Sequence, residues 1–176
     1  MRTIGIWIGI AALAIGAGVA LSDSPPPAPT PPARVGKLET AHWTETTIEA
    51  AASEANKKVL KSGKAVSITG EVIDVSCYLQ LGKRGDAHVA CGTKCLNNGQ
   101  PIGLLDKQDD IHILFPEEHH PRRDGEVDLK SVFIPLLAKT VTVTGMETQM
   151  KGYKALFVQA AEAQKETSTG TTEQKK

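Results

Sequence analysis

Aromatic residues make up only 4% of this 176-residue chain. Its core must therefore be aliphatic, built from Val, Ile, Leu and Ala. That is enough for a small barrel or sandwich but leaves little margin, so a covalent or metal staple would help. Net charge is lacking too, because 20 Lys and Arg balance 20 Asp and Glu. There is no long-range field to attract nucleic acid or an anionic membrane surface, and no basic run interleaved with aromatics. Cysteines number three, and none stands in C-x-x-C or C-x-x-C-H. A thioredoxin-like motif and covalent c-type haem therefore go unsupported. No Ser/His/Asp set, phosphate loop or carboxylate pair stands out.

What is present begins with Arg2 and an apolar run from Ile4 to Leu21. At about 1.5 Å per residue the run approaches the roughly 30 Å of a bilayer's hydrocarbon layer. Residues 1–22 read as an N-terminal hydrophobic helix, either an uncleaved signal anchor or a cleaved signal peptide. Both place the remainder outside the cytoplasm, on the periplasmic side of a bacterial inner membrane or secreted. Residues 23–40, with DSPPPAPTPPAR, read as an extended proline-rich linker. Residues 41–63 read as a covering helix over Thr44 to Lys61, with Thr46 and Glu49 as a capping box. Its thin apolar stripe is Ile48, Ala52, Ala55 and Val59. Packing of Trp43 on the domain is the reading of His42-Trp43.

Residues 64–163 form the main domain. Ala65 to Cys77 alternates as a strand with Gly70 inside it, a sign of a bulge or bend. Short strands are expected at Pro101–Leu105 and Asp110–Phe115, and further strands at Lys139–Gly145 and Tyr153–Ala160. Asp128 to Ala138 starts helical and ends near Pro135. The stretch VSITGEV (66–72) echoes VTVTGME (141–147), read as strands at opposite ends of one sheet. Five strands with helical inserts give a mainly β, α+β class and a small OB-like barrel; an open α+β sheet is the alternative. Residues 164–176 are too polar to bury anything and read as a disordered tail.

All three cysteines, Cys77, Cys91 and Cys95, lie with His88 between Val72 and Gly99. A strand ending at Cys77 is followed by a loop, then by a short helix with Asp86 as N-cap and Asn98-Gly99 at its end. On that helix His88, Cys91 and Cys95 share a face. His88 and Cys95 stand about 10.5 Å apart along a regular helix axis. One ion reaches all four donors only if the helix breaks near Gly92; otherwise a neighbouring pair joins Cys77.

Three functions compete. The first is a metal site of Cys77, His88, Cys91 and Cys95, for zinc or copper. The second is a disulfide from Cys77 to Cys91 or Cys95, stabilising a binding or assembly module that serves as an accessory subunit of a membrane complex. The third is a thiol redox site, with His88 acting on Cys91. An enzyme is the less favoured class.

The segments GEVIDVSCYL, HVACGTKC and GQPIGLL, within Ser67 to Ala160, resemble a group of small exported bacterial domains. Their shared pattern is G-E-h-h-D-x-x-C-Y followed by H-x2-C-x3-C. The resemblance implies that Cys77, Tyr78, His88, Cys91 and Cys95 belong together, and it carries no activity with it.

Elsewhere, Glu117, Glu118, His119 and His120 read as an exposed charged loop. His112 reads as a satisfied or solvent-facing strand residue. Asp74 either orients His88 or hydrogen-bonds a turn.

Overall fold

The computed structural model describes residues 31–118 and 128–159. The expected anchor, most of the linker, the His119-His120 pair and the polar tail lie outside them. Among the described residues no helix is long and apolar enough to cross a membrane.

In chain order the elements are β1 (Ala33–Val35), α1 (Glu45–Ala50), α2 (Glu54–Ser62), β2 (Lys64–Asp74), α3 (Val75–Leu81), α4 (Val89–Asn97), β3 (Ile102–Asp106), β4 (Ile111–Pro116), α5 (Lys130–Phe133), β5 (Thr140–Met150) and β6 (Tyr153–Val158). The strands run β1-β5-β2-β3-β4-β6, and β6 also pairs with β5. Strands β2, β3, β4, β6 and β5 therefore close into a five-stranded mixed barrel of OB-like form, with β1 added beside β5. The β4–β6 and β1–β5 pairs are parallel and the rest antiparallel.

The two echoing segments are neighbours rather than opposite ends of the sheet. Ser67 faces Thr144 and Thr69 faces Thr142 across the β2–β5 ladder. Their hydroxyls meet at 2.8 Å in both pairs. Each long strand changes partner at its glycine. At Gly70, β2 turns from β5 towards β3, and near Gly145, β5 turns from β2 towards β6. A Cβ at Gly70 would stand 2.4 Å from the Leu105 carbonyl oxygen, and one at Gly145 would stand 2.3 Å from that of Phe157. The barrel corners need glycine because a neighbouring backbone occupies the side-chain space. Gly70→Ala is expected to lower unfolding free energy by about 2 kcal/mol, as overpacking does. Urea denaturation would register this, and an unchanged midpoint would mean the corner can open.

The core is aliphatic as expected. Val72, Leu104, Val141, Val143, Leu156 and Val158 from the strands pack with Leu96 of α4 and with Val132 and Phe133 of α5. The α5 segment then passes into a 3-10 turn, Ile134–Leu136, with Pro135 in its first positions.

Several local expectations are corrected. The covering helix is two helices, because Thr44 caps α1 and Ser53 caps α2, each through its side chain. Ser53 takes an extended backbone and its hydroxyl accepts from the Asn56 amide, so capping chemistry outweighs alanine propensity. The Thr46–Glu49 box is not the cap. The stripe is also largely unused: Ile48 remains 55% exposed, while Ala51 is buried. The end of the supposed linker belongs to the fold, since Val35 in β1 is buried against the barrel. Glu117 is buried rather than part of an exposed loop. Its carboxylate accepts hydrogen bonds from the Thr44 amide and hydroxyl, tying α1 to the end of β4. Trp43 packs as expected: its indole donates to the Leu60 carbonyl, and its ring meets Phe157 edge-on at 5.2 Å.

Candidate functional site: a thiol, carboxylate and imidazole cluster

The connection from β2 to β3 carries the cluster. The first correction concerns Cys77, which lies in the first turn of a helix and not at a strand end. Asp74 ends β2 and caps α3, with its Oδ1 accepting the Cys77 amide at 3.2 Å. A buried N-cap thus starts a helix where alternation alone reads strand. Gly82 ends α3 in the left-handed conformation, its amide bonding the Tyr78 carbonyl.

A 3-10 turn, Asp86–His88, leads into α4. Asp86 supplies no side-chain cap and instead pairs with Lys139 at the surface. The Glu71 carboxylate accepts from the Gly85 amide at 2.7 Å and so holds the loop against β2. Helix α4 is seated by Leu96, which is wholly buried, and by Gly92, where a Cβ would lie 2.9 Å from Leu137 and 3.3 Å from the His88 ring. Behind the site, the Val75 amide donates to the Pro101 carbonyl, and Ser76 bonds Gln100. Two short helices are thereby fixed side by side across the β2–β3 corner.

The sequence-predicted donors fall into two overlapping groups. Cys77, Cys91 and Cys95 place their Sγ atoms within 4.8 Å of one another. Asp74, Cys77 and His88 do the same with a carboxylate oxygen, a sulfur and a ring nitrogen. His88 thus joins Asp74 and Cys77 rather than Cys91, because the chain passes from 3-10 turn to α-helix between them. All four predicted residues and Asp74 form a cluster that could hold a metal ion. Tyr78 lies in α3 and contributes to neither group.

The three cysteines are free. Cys77 Sγ and Cys95 Sγ are 4.0 Å apart, about twice the 2.03–2.05 Å of a disulfide bond. The geometry therefore does not support the expected disulfide from Cys77. The Cys77 thiol is pushed up to about 12, chiefly by its hydrogen bond to Asp74, then by burial and by the Asp74 charge. Burial is also the main cause raising Cys95, with Asp74 adding to it and a hydrogen bond from Cys77 opposing it. Reactive thiols need the opposite shift, so these two do not fit a nucleophilic redox pair.

A second polar cluster, outside the predicted site, surrounds His112. It is a strand histidine buried between two carboxylates: Nε2 is 3.1 Å from Asp106 Oδ2 and Nδ1 is 2.8 Å from Glu147 Oε1. Burial pushes Asp106 up, but bonds from His112 and from the Asp110 and Gln108 amides outweigh it and hold the carboxyl below its usual value. This bridges β3, β4 and β5.

Asp74 was visible in the sequence only as a choice between orienting His88 and capping a turn. It caps the turn, and its second oxygen, Oδ2, faces His88 Nε2 at 3.9 Å, beyond hydrogen-bond distance. No protein family, curated protein or solved structure matches the chain.

Proposed function

We propose that this domain binds a soft or borderline metal ion, zinc(II) or copper(I), through the thiolates of Cys77, Cys91 and Cys95. The observation that carries this reading is the convergence of three unbonded sulfurs from two helices within 4.8 Å. With metal–sulfur bonds of about 2.3 Å, tetrahedral or trigonal coordination separates the sulfurs by roughly 3.8–4.0 Å. The Cys77–Cys95 distance of 4.0 Å lies at that value. Thiolate donors suit zinc and copper(I) over calcium or magnesium. Cys91 is exposed, which gives an ion a way in. The apolar run Ile4–Leu21 supports a location outside the cytoplasm, tethered to or released from a membrane.

The test is the metal content of the full-length chain, purified in detergent without chelator, read by elemental mass spectrometry beside a free-thiol count. Bound zinc or copper whose amount falls in Cys91→Ser and Cys95→Ser supports the reading and names the ion. A chain free of metal after incubation with either ion would end it.

Loading must also depend on pH. The raised thiols are protonated in the metal-free protein, and each must lose its proton to bind. Apparent affinity should therefore rise with pH, by about tenfold per unit for each proton released, between about pH 6 and pH 8. Competition titrations would measure this. An affinity independent of pH would argue against thiolate ligation.

A further inference from the structure

The thiol group leaves part of the cluster unexplained. Asp74 is fully buried, and His88 is 6% exposed. Asp74 Oδ2 and His88 Nε2 face each other at 3.9 Å, too far for a hydrogen bond. Among the described residues neither atom has a nitrogen or oxygen hydrogen-bond partner, and the Asp74 carboxylate is met by the Cys77 amide and thiol. Two buried polar atoms left this way are costly, and such atoms commonly mark a bound ion or water. Both are held in place. The other Asp74 oxygen is engaged by the Cys77 amide, and the His88 ring lies against Gly92. A sulfur, that of Cys77, completes a ring of three donors within 4.8 Å, and Cys77 is the one residue shared with the thiol group.

We propose that the chain binds two metal ions bridged by the Cys77 thiolate. One is held by Cys77, Cys91 and Cys95, and the second, a zinc-type divalent ion, by Asp74, Cys77 and His88. This rests on the thiol-site reading and extends it.

Donor chemistry supports the second site, because a carboxylate oxygen, an imidazole nitrogen and a thiolate are all zinc ligands. Charge supports it as well. Three thiolates and one carboxylate balance two divalent cations in full. A single ion would leave the Asp74 carboxylate with the His88 ring, 3.9 Å away, as the one group placed to offset its charge, and a poorly offset buried charge is costly. Binding involves no change of oxidation state: each thiol proton passes to water as its sulfur takes up the ion. A sulfur bridge would also bring the two ions close, so loading of one alters the other's affinity.

The experiment is zinc stoichiometry. The full-length chain and its variants are loaded with zinc(II), desalted and analysed by elemental mass spectrometry. Circular dichroism confirms that each is folded. Two zinc ions per chain are expected in the unaltered protein, and one in Asp74→Asn, in His88→Ala and in Cys91→Ser. Asparagine keeps an acceptor for the Cys77 amide, and His88→Ala carries the test should Asp74→Asn fail to fold. One zinc in the unaltered protein, unchanged by Asp74→Asn and His88→Ala, would overturn the bridged pair and leave the thiol site standing. Two zinc ions retained in both variants would overturn the assigned ligands. No zinc at all would overturn both readings.

Discussion

Cys77→Ser is expected to abolish metal binding, whereas the other cysteine variants are expected to lose only part of it. The reason is topological. Cys77 is the single member common to both donor groups, so its loss leaves Cys91 with Cys95 on one side and Asp74 with His88 on the other. Neither remaining pair makes a three-ligand site. A serine hydroxyl is about the same size but does not ionise near neutral pH, so it cannot replace a thiolate. Removing a partner that merely orients a ligand costs about 10–100-fold in affinity; removing the shared ligand should exceed about 100-fold at both positions. The fold should survive, since Cys77 is half-buried in the first turn of α3 and Asp74 can still cap the helix. Elemental analysis and far-UV circular dichroism on one sample would separate the two effects. Metal retained at the level of the unaltered protein would show that Cys77 is not a ligand.

Phe133→Ala is expected to be the most damaging core substitution, at about 3–5 kcal/mol. Phe133 is the largest of the fully buried side chains, in a chain with only three phenylalanines. It enters the core from α5, beside Val132, Leu129 and Leu137, and meets the aliphatic side chains of the barrel. Small aliphatic neighbours on relatively rigid strands cannot collapse into the space of a lost ring. Domains of this size are stable by about 5–15 kcal/mol, so the variant would lose a large share of its stability. Urea denaturation would measure the loss. A change below about 1 kcal/mol would mean the end of the barrel rearranges around the gap. Metal stoichiometry per folded chain should not change, because Phe133 belongs to neither donor group.

The barrel was legible in the sequence because its strands alternate or run apolar over short stretches and its corners carry glycine. Strand β1 was not legible. Ala33–Val35 is three residues at the end of a proline-rich run, and only its pairing with Val141–Val143 makes it a strand. The break between α1 and α2 was hidden by alanine and lysine, both good helix formers, and Ser53 was the available signal. Glu117 looked like loop because it stands among charged residues; the Thr44 amide that buries it is remote in sequence. In the cluster, residue types and spacing pointed to the three cysteines, whose sulfurs converge, and to His88, which shares a group with Cys77 and Asp74. The division into two groups was not readable, because it depends on a helix starting at Asp74 and on a 3-10 turn preceding Val89. A seven-residue separation on a regular helix did warn that His88 and Cys95 stand far apart, and neither donor group among the described residues contains both.

The position of the cluster between two adjacent paired strands has a consequence for lability. The barrel closes through partners far apart in the chain, such as Lys64 with Glu147 and His112 with Lys154. The donors are local by contrast, since the connection from Asp74 to Ile102 leaves β2 and returns as its neighbour β3. Regions of this kind can open as separate units at a fraction of the cost of global unfolding. Any ion held there could exchange while the barrel remains closed, its release governed by the opening of α3 and α4. Amide hydrogen exchange in those helices, with and without zinc, would show the release step as a loss of protection that leaves the strands untouched.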